Sequence, residues 1–74
     1  YTMKKIKKIK IKVNGKVKSI SEKYKLSDLI KTLNIPLKKV AIELNQEIID
    51  KKSISRINLN KNDKIEIVHF IGGG

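Results

Sequence analysis

Cysteine and tryptophan are absent from this 74-residue chain, and proline, histidine, methionine, phenylalanine and arginine occur once each. Each gap closes off some chemistry. Without cysteine there is no disulfide framework, no thiolate metal ligand and no thiol nucleophile. One histidine cannot by itself assemble a zinc site. No apolar run approaches the roughly 20 residues that cross a bilayer, and no signal-peptide core precedes a cleavage site. The expectation is a cytoplasmic protein. At this length the chain makes one domain, with too little material for a deep pocket of its own. It is expected not to be an enzyme.

Acidic residues are also scarce, 7 against 18 basic ones, for a net charge of +11. Lys4, Lys5, Lys7, Lys8, Lys10 and Lys12 crowd the start of the chain, which raises the question of nucleic acid. The make-up of that charge argues against it. All but one of the 18 basic residues are lysine, whereas phosphate and base recognition favour the planar arginine fork. Lysine, isoleucine and asparagine fill half the chain and all have A/T-rich codons, so compositional bias accounts for a solvated lysine face. An acidic protein partner is the next reading.

Strict alternation from Lys8 to Val13 sets Ile9, Ile11 and Val13 on one side of a strand and Lys8, Lys10 and Lys12 on the other. Asn14-Gly15 marks a hairpin. A three-residue loop, Asn14 to Lys16, would bring Val17 opposite Val13 on the same face, and this register is the one expected. After a strand from Val17 to Ile20, the spacing of Leu26, Leu29, Ile30 and Leu33 predicts a short helix. Ser27 is its expected cap, Asp28 favours the positive end of its dipole, and Pro36 stops it by about Asn34.

Val40, Ile42 and Leu44 alternate with Ala41 and Glu43 in a further strand. Asn45-Gln46-Glu47 reads as a turn, Ile48-Ile49 as a short strand, and Lys51 to Asn58 as an irregular crossing in which Ile54, Ile57 and Leu59 fill the core. A polar turn at Asn60-Lys61-Asn62-Asp63 leads into a last strand from about Lys64 to Ile71. The order β-β-α-β-β-β, with the first and last strands side by side, is an α+β fold of the β-grasp (ubiquitin-like) kind. It has a mixed sheet of four to five strands with one main helix packed on one face.

In the last strand Ile65, Ile67, His69 and Ile71 share one phase, and Lys64, Glu66, Val68 and Phe70 share the other. With the isoleucines turned inward, Val68 and Phe70 emerge on the open face and are the candidate docking residues. Nothing in the chain supplies His69 with an oriented carboxylate or a substrate pocket, so it has no assigned role. Gly72, Gly73 and Gly74 follow as a flexible tail.

Glu43-Leu44-Asn45, Glu47-Ile48-Ile49, Leu59 and the run Asn62-Asp63-Lys64-Ile65-Glu66-Ile67-Val68-His69-Phe70-Ile71-Gly72-Gly73-Gly74 closely resemble the ThiS family, the sulfur carriers of thiamin thiazole synthesis. The likeness covers most of residues 3–74, the expected single β-grasp domain, with Tyr1-Thr2 read as a remnant ahead of a natural start at Met3. Asn62 and Gln46 stand where the family commonly has glycine, departures that affect turns and not chemistry.

The resemblance implies a carrier acted on by other enzymes. The carboxylate of Gly74 would be adenylated by a ThiF-like adenylyltransferase. A sulfur donor system would convert it to a thiocarboxylate, and a ThiG-like thiazole synthase would accept the sulfur. Gly72 and Gly73 would thread the tail toward the nucleotide, where side chains would obstruct it. The carrier itself would bind no cofactor, ATP being used by the adenylyltransferase. The molybdopterin-synthase small subunit and transfer-RNA thiolation carriers share this chemistry and differ in recipient. An RNA-binding β-grasp module of the TGS kind shares the Leu44-Asn45 and Asp63-Lys64-Ile65-Glu66-Ile67 half of the pattern and suits the positive charge. The single domain, the shortage of arginine and aromatics, and the tail oppose that reading.

Overall fold

The computed structural model describes residues 7–70. Five strands, β1 (Lys8–Val13), β2 (Lys16–Ser21), β3 (Val40–Leu44), β4 (Glu47–Ile48) and β5 (Lys64–His69), surround one helix, α1 (Leu26–Thr32), in chain order β-β-α-β-β-β. Two short 3-10 turns, Leu37–Lys39 and Lys51–Arg56, complete the connections. The strands form one sheet in the order β2-β1-β5-β3-β4. β1 and β5 run parallel at its centre, and the remaining pairs are antiparallel. This is the β-grasp arrangement that the element order implies.

The helix covers one face of the sheet because its apolar residues recur at helical spacing. Leu26, Leu29 and Ile30 are buried against Ile11, Ile20, Val40, Ile42, Ile65 and Ile67 from the strands. Ile54 and Leu59, from the long crossing, close the same cluster, and Ile57 is packed against its edge. The helix starts differently from the expectation at Ser27. Lys25 is the capping position, and Asp28 Oδ2 accepts a bond of 2.9 Å from its backbone N–H. The Leu26 N–H, which no helical carbonyl can reach, donates to Ile57 O at 2.9 Å. A neighbouring segment therefore does part of the capping. At the other end Asn34 takes φ 55°. Asn34 N–H then bonds Lys31 O and Ile35 N–H bonds Ile30 O, the paired closure of a Schellman motif, so the helix stops where Pro36 required.

The β1–β2 hairpin corrects the expected register. Val13 faces Lys16 across a two-residue turn, and Val17 faces Lys12. Asn14 at φ 48° and Gly15 at φ 82° both adopt positive φ, the backbone of a type I′ turn, whose twist matches the flanking strands. The one-residue shift turns Val17 to the open face, where it is 62% exposed. It also sends Lys18 to the helix side opposite Ile11, half-buried, with an aliphatic stem that can cover the core while its ammonium reaches water.

Asn14 is held for a second reason. Its side chain accepts from Ile67 N–H at 2.7 Å and donates to Ile67 O at 3.3 Å, continuing the parallel β1–β5 ladder one step beyond the end of β1. A three-residue loop would move Asn14 away from that position. A second clamp joins the β3–β4 turn to the start of β5. Asn45 donates to the buried Asp63 carboxylate at 3.0 Å and accepts from Lys64 N–H at 2.9 Å, while Asp63 also accepts from Asn60 N–H at 2.7 Å. The Leu-Asn and Asn-Asp parts of the sequence pattern are thus one hydrogen-bonded corner.

Asn14→Gly tests the first clamp without adding strain, because glycine accepts positive φ. Loss of the two side-chain bonds to Ile67 should lower stability by about 1–3 kcal/mol in urea unfolding. The Ile67 amide should also exchange faster with deuterium. A stability equal to that of the parent would remove Asn14 from this role.

Candidate functional site

Sheet register decides which side chains share the open face. From β4 across β3 to β5 it places Ile48 next to Glu43 and Glu43 next to Glu66, with Ala41 beside Val68 one step further along. Ile48, Val68 and Phe70 are large apolar side chains left 79%, 52% and 48% exposed. Val68 and Phe70 occupy the end of the face toward which β5 runs, and Ile48 lies on the edge strand, level with Glu43 and Glu66. β5 ends at His69, short of the expected Ile71, which lies outside the described residues. Phe70 stays bound to its neighbour nonetheless, with its N–H donating to Lys39 O at 2.9 Å. Lys51 Nζ stands 5.1 Å from the centroid of the Phe70 ring, in cation–π range.

Val68 and Phe70 therefore sit on the open face, as the strand phase requires. Ile48 was not singled out by the sequence, because a short apolar pair after a turn looks like core. Its pairing with Glu43, on the side away from the helix, is what exposes it. His69 pairs with Val40 in the inward phase but lies exposed at the strand end. Gly72, Gly73 and Gly74 lie outside the described residues. Among the described residues, no group of three or more His, Cys, Asp or Glu could hold a metal ion, and no helix is long and apolar enough to cross a membrane.

Exposed apolar side chains gathered on one face suit it to binding another surface. Its two facing carboxylates differ in exposure, Glu66 being exposed and Glu43 half-buried. The strand that carries Val68 and Phe70 is also the one that leads to the end of the chain.

The model of the ThiS family matches residues 11–74, from the centre of β1 to the last glycine. The chain belongs to the ThiS family. The sulfur carrier protein ThiS of Bacillus subtilis is 40% identical over 65 residues, covering 86% of this chain and 98% of the relative. The crystal structure of the thiamine biosynthesis protein ThiS from Geobacter metallireducens superposes with a TM-score of 0.78 at 26% identity, covering 89% of this chain and all of the other. A thiazole synthase of Paramagnetospirillum magneticum is 39% identical over 66 residues, 89% of this chain but 20% of the synthase. The chain thus spans about a fifth of the length of the thiazole synthases it matches. Within the ThiS pattern, Asn62 in place of glycine adopts φ 71° and Gln46 adopts φ 72°. Asparagine enters this left-handed region readily, and glutamine does so at a larger steric cost.

Exposure separates the face from the core in a mutational test. Ile48→Ser should change unfolding free energy by no more than about 0.5 kcal/mol. Ile42→Ser, at a position 1% exposed on the opposite face of β3, should cost more than about 2 kcal/mol. Urea titration of both variants measures the contrast, and a large loss for Ile48→Ser would show that its side chain is part of the packed structure.

Proposed function

We propose that this chain is a sulfur carrier of thiamin thiazole synthesis that works through the carboxylate of Gly74. The observation that carries the reading is the ThiS match extending through residue 74, so that it includes the three glycines and not the β-grasp body alone. Thiazole synthases that contain a segment similar to this chain support a ThiG-like synthase as the sulfur acceptor.

The chemistry follows from the carboxylate. A chain-terminal carboxylate is ionised at neutral pH and is a poor electrophile. Attack of its oxygen on the α-phosphorus of ATP, in a ThiF-like adenylyltransferase, forms an acyl-adenylate and releases pyrophosphate. A sulfur donor system then displaces AMP and leaves the thiocarboxylate. The carrier binds no cofactor in this scheme and acts in the cytoplasm, where ATP is at hand. It contributes the carboxylate to be activated, behind three glycines that carry no side chains, and a face by which enzymes hold it. Val68 and Phe70, with Ala41 beside Val68, form the apolar end of that face, a composition suited to the desolvated core of an interface.

Intact mass spectrometry after incubation with ATP, the adenylyltransferase and a sulfur source should show the gain of one sulfur in place of one oxygen, located at Gly74. Gly73→Val should fold normally and fail to gain sulfur, since a β-branched side chain obstructs threading. Equal sulfur uptake by Gly73→Val would refute the threading account. An unchanged wild-type mass beside demonstrably active enzymes would overturn the carrier reading.

A further inference from the structure

The opposite end of the open face has a different character. Lys8, Lys10 and Lys12 project there from alternate positions of β1, about 7 Å apart along the strand. Lys64 of β5 lies directly beside Lys12. Across the hairpin their partners on β2 are Ser21, Ser19 and Val17, none of them acidic. Register therefore sets four ammonium groups together with no carboxylate directly opposite any of them, the nearest on the face being Glu66, which lines a depression with Lys12 and Lys64 at the border of the cluster. The exposed Val17 helps to line a shallow depression with Lys10, Lys12, Asn62 and Lys64.

A lysine-rich composition by itself explains lysines anywhere on the surface. It does not explain an apolar residue exposed among them, at the one β2 position that the turn geometry moves out of the core. The same sheet face is continuous from this cluster to Val68, a span of about 25 Å along the strands. An interface of ordinary size, about 800 Å² on each partner, is wide enough to cover both.

We infer that the open face is a two-part docking surface, in which Lys8, Lys10, Lys12 and Lys64 around Val17 receive a carboxylate-rich stretch of the enzyme that modifies the terminus. The inference rests on the carrier reading above. The apolar end beside the strand exit supplies desolvated contact, and the lysine end supplies electrostatic attraction before contact is made. The complement is thus a protein surface with an apolar patch and, about 25 Å away, a group of Asp and Glu side chains. Four lysines with one valine and no aromatic ring favour carboxylates over nucleic acid, whose bases would call for stacking platforms.

The test compares two triple variants of equal charge. Lys8→Gln/Lys10→Gln/Lys12→Gln alters the face; Lys23→Gln/Lys31→Gln/Lys38→Gln removes the same charge from exposed positions outside it. Stopped-flow association with the adenylyltransferase is measured at about 50 mM and about 500 mM NaCl, ionic strengths that straddle strong and weak screening. Wild-type association should slow about tenfold between the two salt levels. The face variant should already be slowed about tenfold at low salt and lose most of its salt dependence, whereas the control variant should change less than about twofold. Equal slowing in both triples would show bulk charge alone and overturn the inference. Tighter binding of an oligouridylate than of the enzyme, lost only in the face variant, would overturn it in favour of nucleic acid. Sulfur uptake at Gly74 is followed in the same samples. Normal uptake with association indifferent to the face variant sinks the two-part surface alone, and no uptake in any sample sinks the carrier reading.

Discussion

The two bonds between the Asn14 side chain and the backbone of Ile67 couple the turn of the first hairpin to the strand that ends the domain. Their partners are 53 residues apart, so they form only once the whole fold has closed. β1 and β5 share just two residue pairs as parallel strands, Lys12 with Lys64 and Val13 with Ile65. Asn14 lengthens that short ladder by a side chain. Without it, Ile67 would leave an unmet N–H and C=O in a strand whose inward side chains are buried, a loss that central strands seldom tolerate. The level at which β5 is pinned sets where Val68 and Phe70 emerge. Local turn chemistry at one end of the chain thus fixes the presentation of the other.

Much of this fold was legible because the apolar residues keep time. The period of two in Ile9-Ile11-Val13, Val40-Ile42-Leu44 and Ile65-Ile67, and the helical spacing of Leu26, Leu29, Ile30 and Leu33, gave the element order and the inward faces. The hairpin register escaped because Val17 looks like a core residue, and pairing it with Val13 satisfied the hydrophobic pattern. What outweighed that pairing was backbone geometry, the type I′ turn, together with a distant hydrogen bond that no local window contains. The helix cap escaped for a similar reason. Ser27 has the right chemistry, but β-bridge contacts between Lys25 and Asn58 start the helix two residues earlier. Of the face residues, Val68 and Phe70 could be read from strand phase, whereas Ile48 needed the β3–β4 register.

Turn composition also connects to stability. Four of the six asparagines, Asn14, Asn34, Asn45 and Asn62, occupy positive φ. Glycine would relax each of these positions in the folded state while giving the unfolded chain more freedom to lose. Asparagine instead keeps a side chain that can be used. Asn14 and Asn45 use theirs as clamps on β5, one on each side of it. A chain rich in A/T-type codons thereby turns a compositional habit into cross-links around the strand that matters most.

If the chain presents its terminus to one enzyme and then to another, as proposed, it must be released as readily as it is held. Deep burial of its docking residues in a large apolar interface would slow that exchange, because differences in affinity between related complexes lie mostly in the off-rate. The proposed division of the open face fits the requirement. A small apolar patch limits the lifetime of each complex, while long-range attraction by lysines raises the encounter rate without adding much to residence. Glu43 and Glu66 face each other between the two zones, and like charges opposed across a sheet cost stability in the isolated protein. They also separate a basic zone from an apolar one, so a partner in the wrong orientation would set its acidic group against carboxylates and its apolar patch against lysines. Orientation on the sheet is then selected by repulsion as well as by attraction.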